Sequence, residues 1–207
     1  MKYKFGFIGT GNMGGALARA IAEKTEPEEM LLANRTEEKA RILAEELGCD
    51  YGTNADAAGK CRYIFLGVKP QGMAALAEDI SPVLAARGDR FILVTMAAGL
   101  STERISALFG GNIPVIRIMP NTPVAIGEGM ILCTANSLVT KEELAEFAEA
   151  MEYAGICDMI SEEKIDAASV ISGCGPAFMF MFISAFEEAG KALGLDGEKA
   201  RLYAEQT

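Results

Sequence analysis

Three glycines near the N-terminus constrain the fold of this chain more than any other feature. Gly9, Gly11 and Gly14 directly follow a short apolar segment, Lys4 to Ile8, which has the composition of a buried strand. After them, apolar residues recur at helical spacing: Met13, Ala16, Leu17, Ala20 and Ile21. A second short apolar segment, Met30 to Ala33, comes next. A strand, a glycine turn, a helix and another strand predict a βαβ unit, and such units build parallel sheets.

The alternation of strands and helices continues to about residue 160. Further strands are predicted at Tyr63 to Val68, Phe91 to Thr95, Val115 to Met119, Met130 to Thr134 (as an edge strand) and Ile156 to Ile160. Helices are predicted at Ala40 to Leu47, Gln71 to Leu84, Thr102 to Phe109 and after the capping box of Thr140 and Glu143. The predicted fold class is α/β, a Rossmann-like domain over residues 1–160 with a mostly parallel sheet and helices on both faces.

From Ser161 onward the pattern is helical only, which predicts an all-α domain over residues 161–207. One helix is expected to end at Ile171, and a second to begin at Pro176 and end near Gly194. The segment Ala177 to Ile183 is apolar on every side, so it must be buried in a large core or in an oligomer interface. At this length it is too short to cross a bilayer. We therefore expect a homodimer or higher oligomer through the C-terminal helices.

Composition narrows the classes of function. A formal net charge of −10 argues against nucleic acid as a partner. The five cysteines include no close pair, which predicts reduced thiols and no metal site. The chain starts almost at once with a strand, which leaves no room for a signal peptide, so we expect a cytoplasmic protein with no membrane partner. It has no histidine, and this removes the usual general acid–base of 2-hydroxy-acid dehydrogenases.

The glycine spacing Gly9-x-Gly11-x-x-Gly14 is typical of dinucleotide binding in this context. Gly9 permits the tight turn, Gly11 lets the backbone approach a pyrophosphate, and Gly14 lets the helix pack closely on the strand. The unpaired N–H groups at the start of the helix then face the phosphates. The alternative is a glycine turn with a structural role only. We expect Thr10, Asn12 and Met13 to lie in the same cofactor contact.

The end of the second strand selects between cofactors. Enzymes that use NAD place an acidic residue there, about 20 residues beyond the glycines, to bind the ribose hydroxyls. This chain has Asn34, Arg35 and Thr36 instead. A guanidinium and a hydroxyl can bind a 2′-phosphate, so the sequence favours NADP(H), with NAD(H) as the alternative. In that alternative Arg35 is a solvated charge, and Glu37 or Glu38 binds the ribose.

Four further segments have unusual compositions at places where ligands bind. Three of them end predicted strands: Val68 to Pro70, Met96 to Ser101, and Arg117 to Pro123, which holds Asn121. The fourth, Gly173 to Pro176, is predicted to stand at the start of the apolar helix. A backbone nest at a helix start would suit an anion such as a carboxylate. The small residues after Met96 would let a flat ring lie close to the backbone.

Together these segments resemble the pyrroline-5-carboxylate reductase family, and the resemblance extends from Lys4 to Thr207. Its most specific strings are Met-Pro-Asn-Thr-Pro, ending at Pro123, and Ser-Gly-Cys-Gly-Pro-Ala, ending at Ala177. The resemblance implies NADPH-dependent reduction of 1-pyrroline-5-carboxylate to L-proline, the last step of proline biosynthesis. The cofactor contacts that it and the glycine motif imply are Gly9, Thr10, Gly11, Asn12, Met13, Gly14, Asn34, Arg35, Thr36, Asn54, Val68, Lys69, Pro70, Ala97, Ala98, Gly99 and Asn121. The implied substrate contacts are Asn121, Gly173, Cys174, Gly175 and Pro176.

The chain departs from the family pattern in two places. Cys174 stands where the family usually has serine. The family also continues for several dozen residues, with a Ser-Pro-Gly-Gly-Thr stretch that supplies a hydroxyl to the substrate pocket, whereas this sequence stops at Thr207. A protonated cyclic imine accepts hydride without a strong general acid, which is consistent with the lack of histidine. We therefore expect residues 1–207 to bind the cofactor, and the hydroxyl that assists the imine nitrogen to lie beyond Thr207.

Two alternatives remain open from the sequence. The first is another NADP-dependent imine or β-hydroxyacid reductase. A β-hydroxyacid dehydrogenase needs a lysine in the helical part, and the nearest, Lys164, lies beside Glu162 and Glu163 and is expected at the surface. The second alternative is a non-catalytic dinucleotide-binding or dimerisation module.

Overall fold

One eight-stranded sheet organises the computed structural model, which describes residues 2–207. The strands are β1 (Tyr3–Ile8), β2 (Met30–Ala33), β3 (Asp50–Gly52), β4 (Cys61–Leu66), β5 (Ile92–Thr95), β6 (Val115–Pro120), β7 (Gly129–Ala135) and β8 (Gly155–Met159). Their order across the sheet is β3-β2-β1-β4-β5-β6-β7-β8. All neighbours are parallel except β6 and β7, which are antiparallel. The first six strands therefore have the order and direction of a Rossmann fold.

Helices connect the strands and then continue alone. They are α1 (Asn12–Ala22), α2 (Glu37–Leu47), α3 (Asn54–Lys60), α4 (Met73–Ala85), α5 (Thr102–Leu108), α6 (Lys141–Ala150), α7 (Glu162–Ala192) and α8 (Gly197–Gln206). The helix α6 begins with the predicted capping box, in which the Thr140 hydroxyl accepts from the Glu143 backbone and the Glu143 carboxylate accepts from the Thr140 backbone. The predicted fold, a mostly parallel sheet followed by helices, is confirmed.

Two elements near residue 50 escaped prediction. The strand β3 is only three residues long, and two of its residues, Asp50 and Tyr51, are exposed, so it lacks an apolar signal. The helix α3 is seven residues long and begins with a capping box between Thr53 and Asp56. The prediction of β7 as the edge strand was wrong, because β8 pairs with its far side and is itself the edge.

Between its two partly exposed edge strands, β3 and β8, the sheet is buried on both faces, as parallel sheets require. On the central strand β4, Tyr63 and Phe65 point into one core cluster, while Ile64 and Leu66 point into the other. The first cluster includes Phe7, whose ring stacks on that of Phe65 with centroids 4.4 Å apart. Because both faces are covered, only the ends of the strands can present backbone to a ligand.

The predicted break in the C-terminal helices is wrong. The helix α7 runs without interruption over 31 residues, and Pro176 lies in its interior. A proline there has no N–H to donate to the carbonyl four residues earlier, which belongs to Ser172. That carbonyl instead accepts a hydrogen bond from the side-chain amide of Asn121, at 2.9 Å. The helix continues because a side chain from the sheet replaces the missing donor.

The first turn of α7 is held against the sheet by charged groups. Arg117 on β6 is 2 % exposed, and its guanidinium pairs with Asp166 and, at 3.6 Å, with Glu162. Glu162 also accepts hydrogen bonds from the backbone and the hydroxyl of Thr102, both at 2.7 Å. These contacts fix the direction in which α7 leaves the sheet.

Most of α7 beyond that turn is exposed. Phe178, Phe180, Phe182 and Phe186 are each more than half exposed, and Ile165 is the only buried residue of the helix within the described chain. The segment Ala177 to Ile183 was expected to be too short to cross a bilayer. As part of the continuous helix α7, it belongs to an element that is long and apolar enough to do so by length and composition. Helices of soluble proteins also reach this length and hydropathy, so these two properties alone do not assign α7 to a membrane. An exposed apolar helix face of this size indicates a missing partner surface.

Candidate active site

The candidate site is the edge of the sheet where β1 to β6 end. These strands are parallel, so the segments that follow them meet at that edge. The segments are the glycine turn after β1, residues 34–36 after β2, Asn54 after β3, residues 67–70 after β4, residues 97–99 after β5 and Asn121 after β6. The structure therefore brings together at one edge all the predicted cofactor segments.

Two glycines of the turn, Gly9 and Gly14, are required for steric reasons. Gly9 has φ of +102°, a conformation that L side chains rarely adopt. A Cβ on Gly14 would lie 2.1 Å from the carbonyl oxygen of Gly9. A Cβ on Gly67, directly after β4, would lie 2.3 Å from the same oxygen. Gly67 was missed by sequence reasoning, although a glycine after the neighbouring strand was an available signal.

The first turn of α1 is suited to an anion. Gly11 is the N-cap residue, it offers no side-chain cap, and the first turn contains no acidic residue. A Cβ on Gly11 would meet no atom within 4 Å, so space is open above its backbone. The hydroxyl of Thr10 is buried and has no hydrogen-bond partner among the described residues. Free N–H groups, an unpartnered hydroxyl and open space fit the pyrophosphate of a dinucleotide.

The segment after β2 contains Asn34, which holds the loop in place, and the exposed side chain of Arg35. The Asn34 side chain accepts from the Thr10 backbone at 3.1 Å and donates to the Thr36 carbonyl at 3.0 Å, so it ties the glycine turn to this loop. Arg35 is exposed and makes no ion pair or hydrogen bond within residues 2–207. Glu38, by contrast, is engaged by Arg41 at 2.6 Å. Arg35 is thus the group available for a phosphate at this position.

The remaining predicted cofactor residues differ in what they can offer. Asn54 begins α3 and donates through its side chain to Asp79 at 3.0 Å. Val68 and Pro70 are half-buried and Lys69 is exposed. Ala97 is buried and its N–H donates to the Thr95 hydroxyl at 3.3 Å, so it offers little to a ligand, while Ala98 and Gly99 are exposed. Gly99 has φ of +73° and open space around it, which leaves a shallow, flat surface there.

Asn121 joins this edge to the segment predicted to bind substrate. Its amide nitrogen donates to the Ser172 carbonyl at 2.9 Å, and its amide oxygen accepts from the Met130 backbone at 2.8 Å. The contact places the Gly173 to Pro176 segment of α7 beside the end of β6. The N–H groups of Gly173, Cys174 and Gly175 lie inside a continuous helix, so the predicted anion-binding nest at a helix start is wrong.

The segment nevertheless leaves room above the helix. A Cβ on Gly173 or Gly175 would meet no atom within 4 Å, and Cys174 is exposed. The neighbouring hydroxyl of Ser172 donates to the Ala168 carbonyl at 3.4 Å, as expected for a serine that bonds to backbone. Lys164 is exposed in the first turn of α7, as predicted. The described residues on this side thus offer surface and shape to a substrate, without a catalytic acid.

Two family models match the chain. Residues 4–99 match the family of NADP oxidoreductases described as coenzyme F420-dependent. Residues 162–207 match pyrroline-5-carboxylate reductase dimerisation, and this region includes the exposed face of α7.

Individual relatives agree with these matches over nearly the whole chain. The pyrroline-5-carboxylate reductase of Corynebacterium melassecola is 33% identical over 95% of this chain and 74% of its own length. This chain belongs to the pyrroline-5-carboxylate reductase family. The solved reductase of Coxiella burnetii has a TM-score of 0.89 at 29% identity, covering 100% of this chain and 77% of that one. The Plasmodium falciparum enzyme, solved with NADP bound, has a TM-score of 0.86 at 28% identity, covering 99% and 75%.

Membership of the family confirms several predictions. The resemblance read from the sequence is confirmed, as is the class of the protein, an oxidoreductase with an NAD(P)H-binding Rossmann fold. The dimerisation match over residues 162–207 supports self-association and gives a reason for the exposed aromatic face of α7.

Proposed function

We propose that this protein reduces 1-pyrroline-5-carboxylate to L-proline with NADPH, and that the reaction takes place at the carboxyl edge of β1 to β6. The observation that carries the proposal is the hydrogen bond of 2.9 Å between Asn121 and the Ser172 carbonyl. It supports the proposal because it holds the Gly173 to Pro176 segment of α7 against the edge at which the segments proposed for the cofactor meet. Family relatives that bear the name of this activity, at about a third identity, support it.

The cofactor would be held by backbone and small side chains. The first turn of α1, Gly11 and the unpartnered hydroxyl of Thr10 would bind the pyrophosphate. Arg35 would bind the 2′-phosphate, which is our reason for proposing NADPH over NADH. Ala98 and Gly99 would let the flat ring lie against the backbone. When bound, the nicotinamide supplies the hydride, and the protein's part is to orient the imine carbon toward it.

The substrate would lie between Asn121 and the Gly173 to Pro176 segment. The amide of Asn121 is occupied on both sides by protein groups, so we propose that it positions this segment and does not transfer a proton. Ser172 is engaged by backbone. The hydrogen bond to the imine nitrogen would then come from a hydroxyl outside residues 2–207, as the family resemblance implies.

We further propose that the chain has two domains, residues 1–160 and 161–207, and that it forms a homodimer or larger assembly in the cytoplasm through α7. The exposed phenylalanines of α7 support the assembly, because a free surface of four such rings is unfavourable in water. A C2 pair of these helices would bury them and would bring a second copy of the Gly173 to Pro176 segment near the interface.

The decisive experiment separates binding from chemistry. A polypeptide of residues 1–207 is titrated with NADPH by fluorescence and then assayed for NADPH oxidation with 1-pyrroline-5-carboxylate. A chimera that carries the C-terminal segment of the Coxiella burnetii enzyme is measured alongside. We expect equal cofactor affinity, but a rate at least about 100-fold higher in the chimera, because one positioned donor is worth about that factor. Equal rates would refute the placement of the hydroxyl, and absence of NADPH binding in both would refute the proposed site.

A further inference from the structure

Two cysteines that the proposed reaction does not use lie in direct contact. Cys133 on β7 and Cys157 on β8 are 24 residues apart in the chain, yet their sulfur atoms are 2.7 Å apart. The parallel register pairs Ile131 with Cys157 and Cys133 with Met159, so the two cysteines lie diagonally on one face of neighbouring strands. An S–S bond is about 2.05 Å long. The sulfurs therefore need to move by less than one ångström to bond.

The two thiols differ in access and acidity. Cys133 is fully buried in the core cluster that contains Phe147, whereas Cys157 is half-buried at the edge strand. The two sulfurs share a hydrogen bond in which either can be the donor; this contact lowers the pKa of Cys157, while burial and Asp158 oppose that shift. The same contact and burial raise the pKa of Cys133 far above its ordinary value. Cys157 is thus the sulfur that ionises first and that solvent reaches.

We propose that Cys133 and Cys157 are an oxidation site that converts to a disulfide with hydrogen peroxide. The Cys157 thiolate attacks one oxygen of the peroxide, so an S–O bond forms and the O–O bond breaks. The other oxygen leaves as hydroxide, which takes a proton from solvent to become water. The Cys133 sulfur then attacks the sulfenic sulfur of Cys157. An S–S bond forms, the S–O bond breaks and a second water leaves. Two thiols are oxidised and one peroxide is reduced.

The disulfide would fasten the chain where it passes from the sheet to α7. The carbonyl of Cys133 already accepts from the Ile160 backbone at 2.9 Å, two residues before α7 begins. Bonding Cys157 would join the edge strand β8 covalently to β7 and would close the loop that contains α6. A loop of about 25 residues constrained in this way raises the unfolding temperature of a domain of this size by about 5–10 °C.

The test uses the folded protein with Cys174→Ser, because the exposed thiol of Cys174 would otherwise link different chains. The protein is treated with hydrogen peroxide, free thiols are alkylated, and the unreduced protein is digested with trypsin, which separates the two cysteines at Lys141. We expect one cross-linked peptide pair containing Cys133 and Cys157, loss of two hydrogens from the intact mass, and reversal of both by a thiol reductant. The melting temperature should rise by about 5–10 °C.

Two variants complete the design. Cys157→Ser should abolish the cross-link and the rise in melting temperature. Cys49→Ser is the matched control, since Cys49 is another half-buried thiol, and burial raises its pKa to about 11; this variant should behave like its parent. The proposal is overturned if both cysteines are alkylated after treatment and unfolding, or if Cys157 is found over-oxidised without a cross-link to Cys133.

Discussion

Asn121→Ala removes the side chain that compensates for Pro176 inside α7. Two backbone groups lose their hydrogen-bond partner. In the native protein the Ser172 carbonyl accepts from the Asn121 side chain at 2.9 Å, and the Met130 N–H donates to it at 2.8 Å. A typical hydrogen bond contributes about 1 kcal/mol net to stability. We therefore expect the free energy of unfolding to fall by about 2 kcal/mol, which lowers the melting temperature by roughly 4–8 °C.

Pro176→Ala tests the physical reason for that loss. An alanine at 176 supplies the N–H that the Ser172 carbonyl lacks, so the carbonyl no longer depends on Asn121. Pro176→Ala should therefore stabilise the Asn121→Ala variant by about 1 kcal/mol more than it stabilises the native protein. The double-mutant cycle isolates this coupling from the general effect of a proline in a helix.

The assay is urea unfolding followed by far-UV circular dichroism, at one protein concentration because we propose that the protein self-associates. Thr122→Ala is the matched control: Thr122 is the exposed neighbour of Asn121 and should change stability little. If Asn121→Ala and Pro176→Ala are additive within roughly 0.3 kcal/mol, Asn121 does not replace the missing donor and the reasoning is refuted.

Three further predictions concern the cofactor preference, the oligomer interface and the glycine turn. Arg35→Asp should shift the ratio of NADPH to NADH affinity toward NADH in parallel fluorescence titrations, because a carboxylate repels a 2′-phosphate; an unchanged ratio would exclude Arg35 from phosphate binding. Phe180→Glu with Phe182→Glu should yield monomer or aggregate by light scattering, since both rings are 61% exposed in the single chain; an unaltered oligomer would place the interface elsewhere. Gly67→Ala should destabilise the protein by about 1–3 kcal/mol through the clash with Gly9, whereas Gly88→Ala, with open space around it, should not.

Much of the fold could be predicted because the short sequence motifs indicate the same strands and helices that the folded protein contains. The glycine turn of Gly9 to Gly14 required a strand before it and a helix after it, and the buried strands are short apolar segments such as Met30 to Ala33. The capping box at Thr140 marked the start of α6 without any tertiary information. The cofactor edge followed from topology, since parallel strands end on one side. In contrast, β3 escaped because a short, exposed strand carries no apolar pattern.

Three other errors and omissions share one physical origin, which is that they depend on contacts between distant segments. Judged from its neighbours in the sequence, Pro176 is expected to begin a helix. It can lie inside one because Asn121, far earlier in the chain, donates a hydrogen bond to the Ser172 carbonyl. Cys133 and Cys157 show no spacing motif, and they meet only because β8 pairs with β7 in a register that sets them diagonally. Gly67 directly follows β4, and the contact that requires a glycine there, with the Gly9 carbonyl, forms only in the folded sheet.

The difference between local sequence features and contacts between distant segments also separates the two parts of the proposed site. The proposed cofactor site consists of local features, a glycine turn, a helix start and a cation after β2, so each of its residues can be proposed from the sequence alone. The proposed substrate site depends on how α7 is seated on the sheet, and that seating is set by Arg117 with Glu162 at one point and by Asn121 with Ser172 at another. Substitutions at the glycine turn should thus change cofactor affinity first. Substitutions at Asn121 should impair the use of substrate more than they weaken cofactor binding, since they free the Ser172 carbonyl of α7 together with the Met130 N–H.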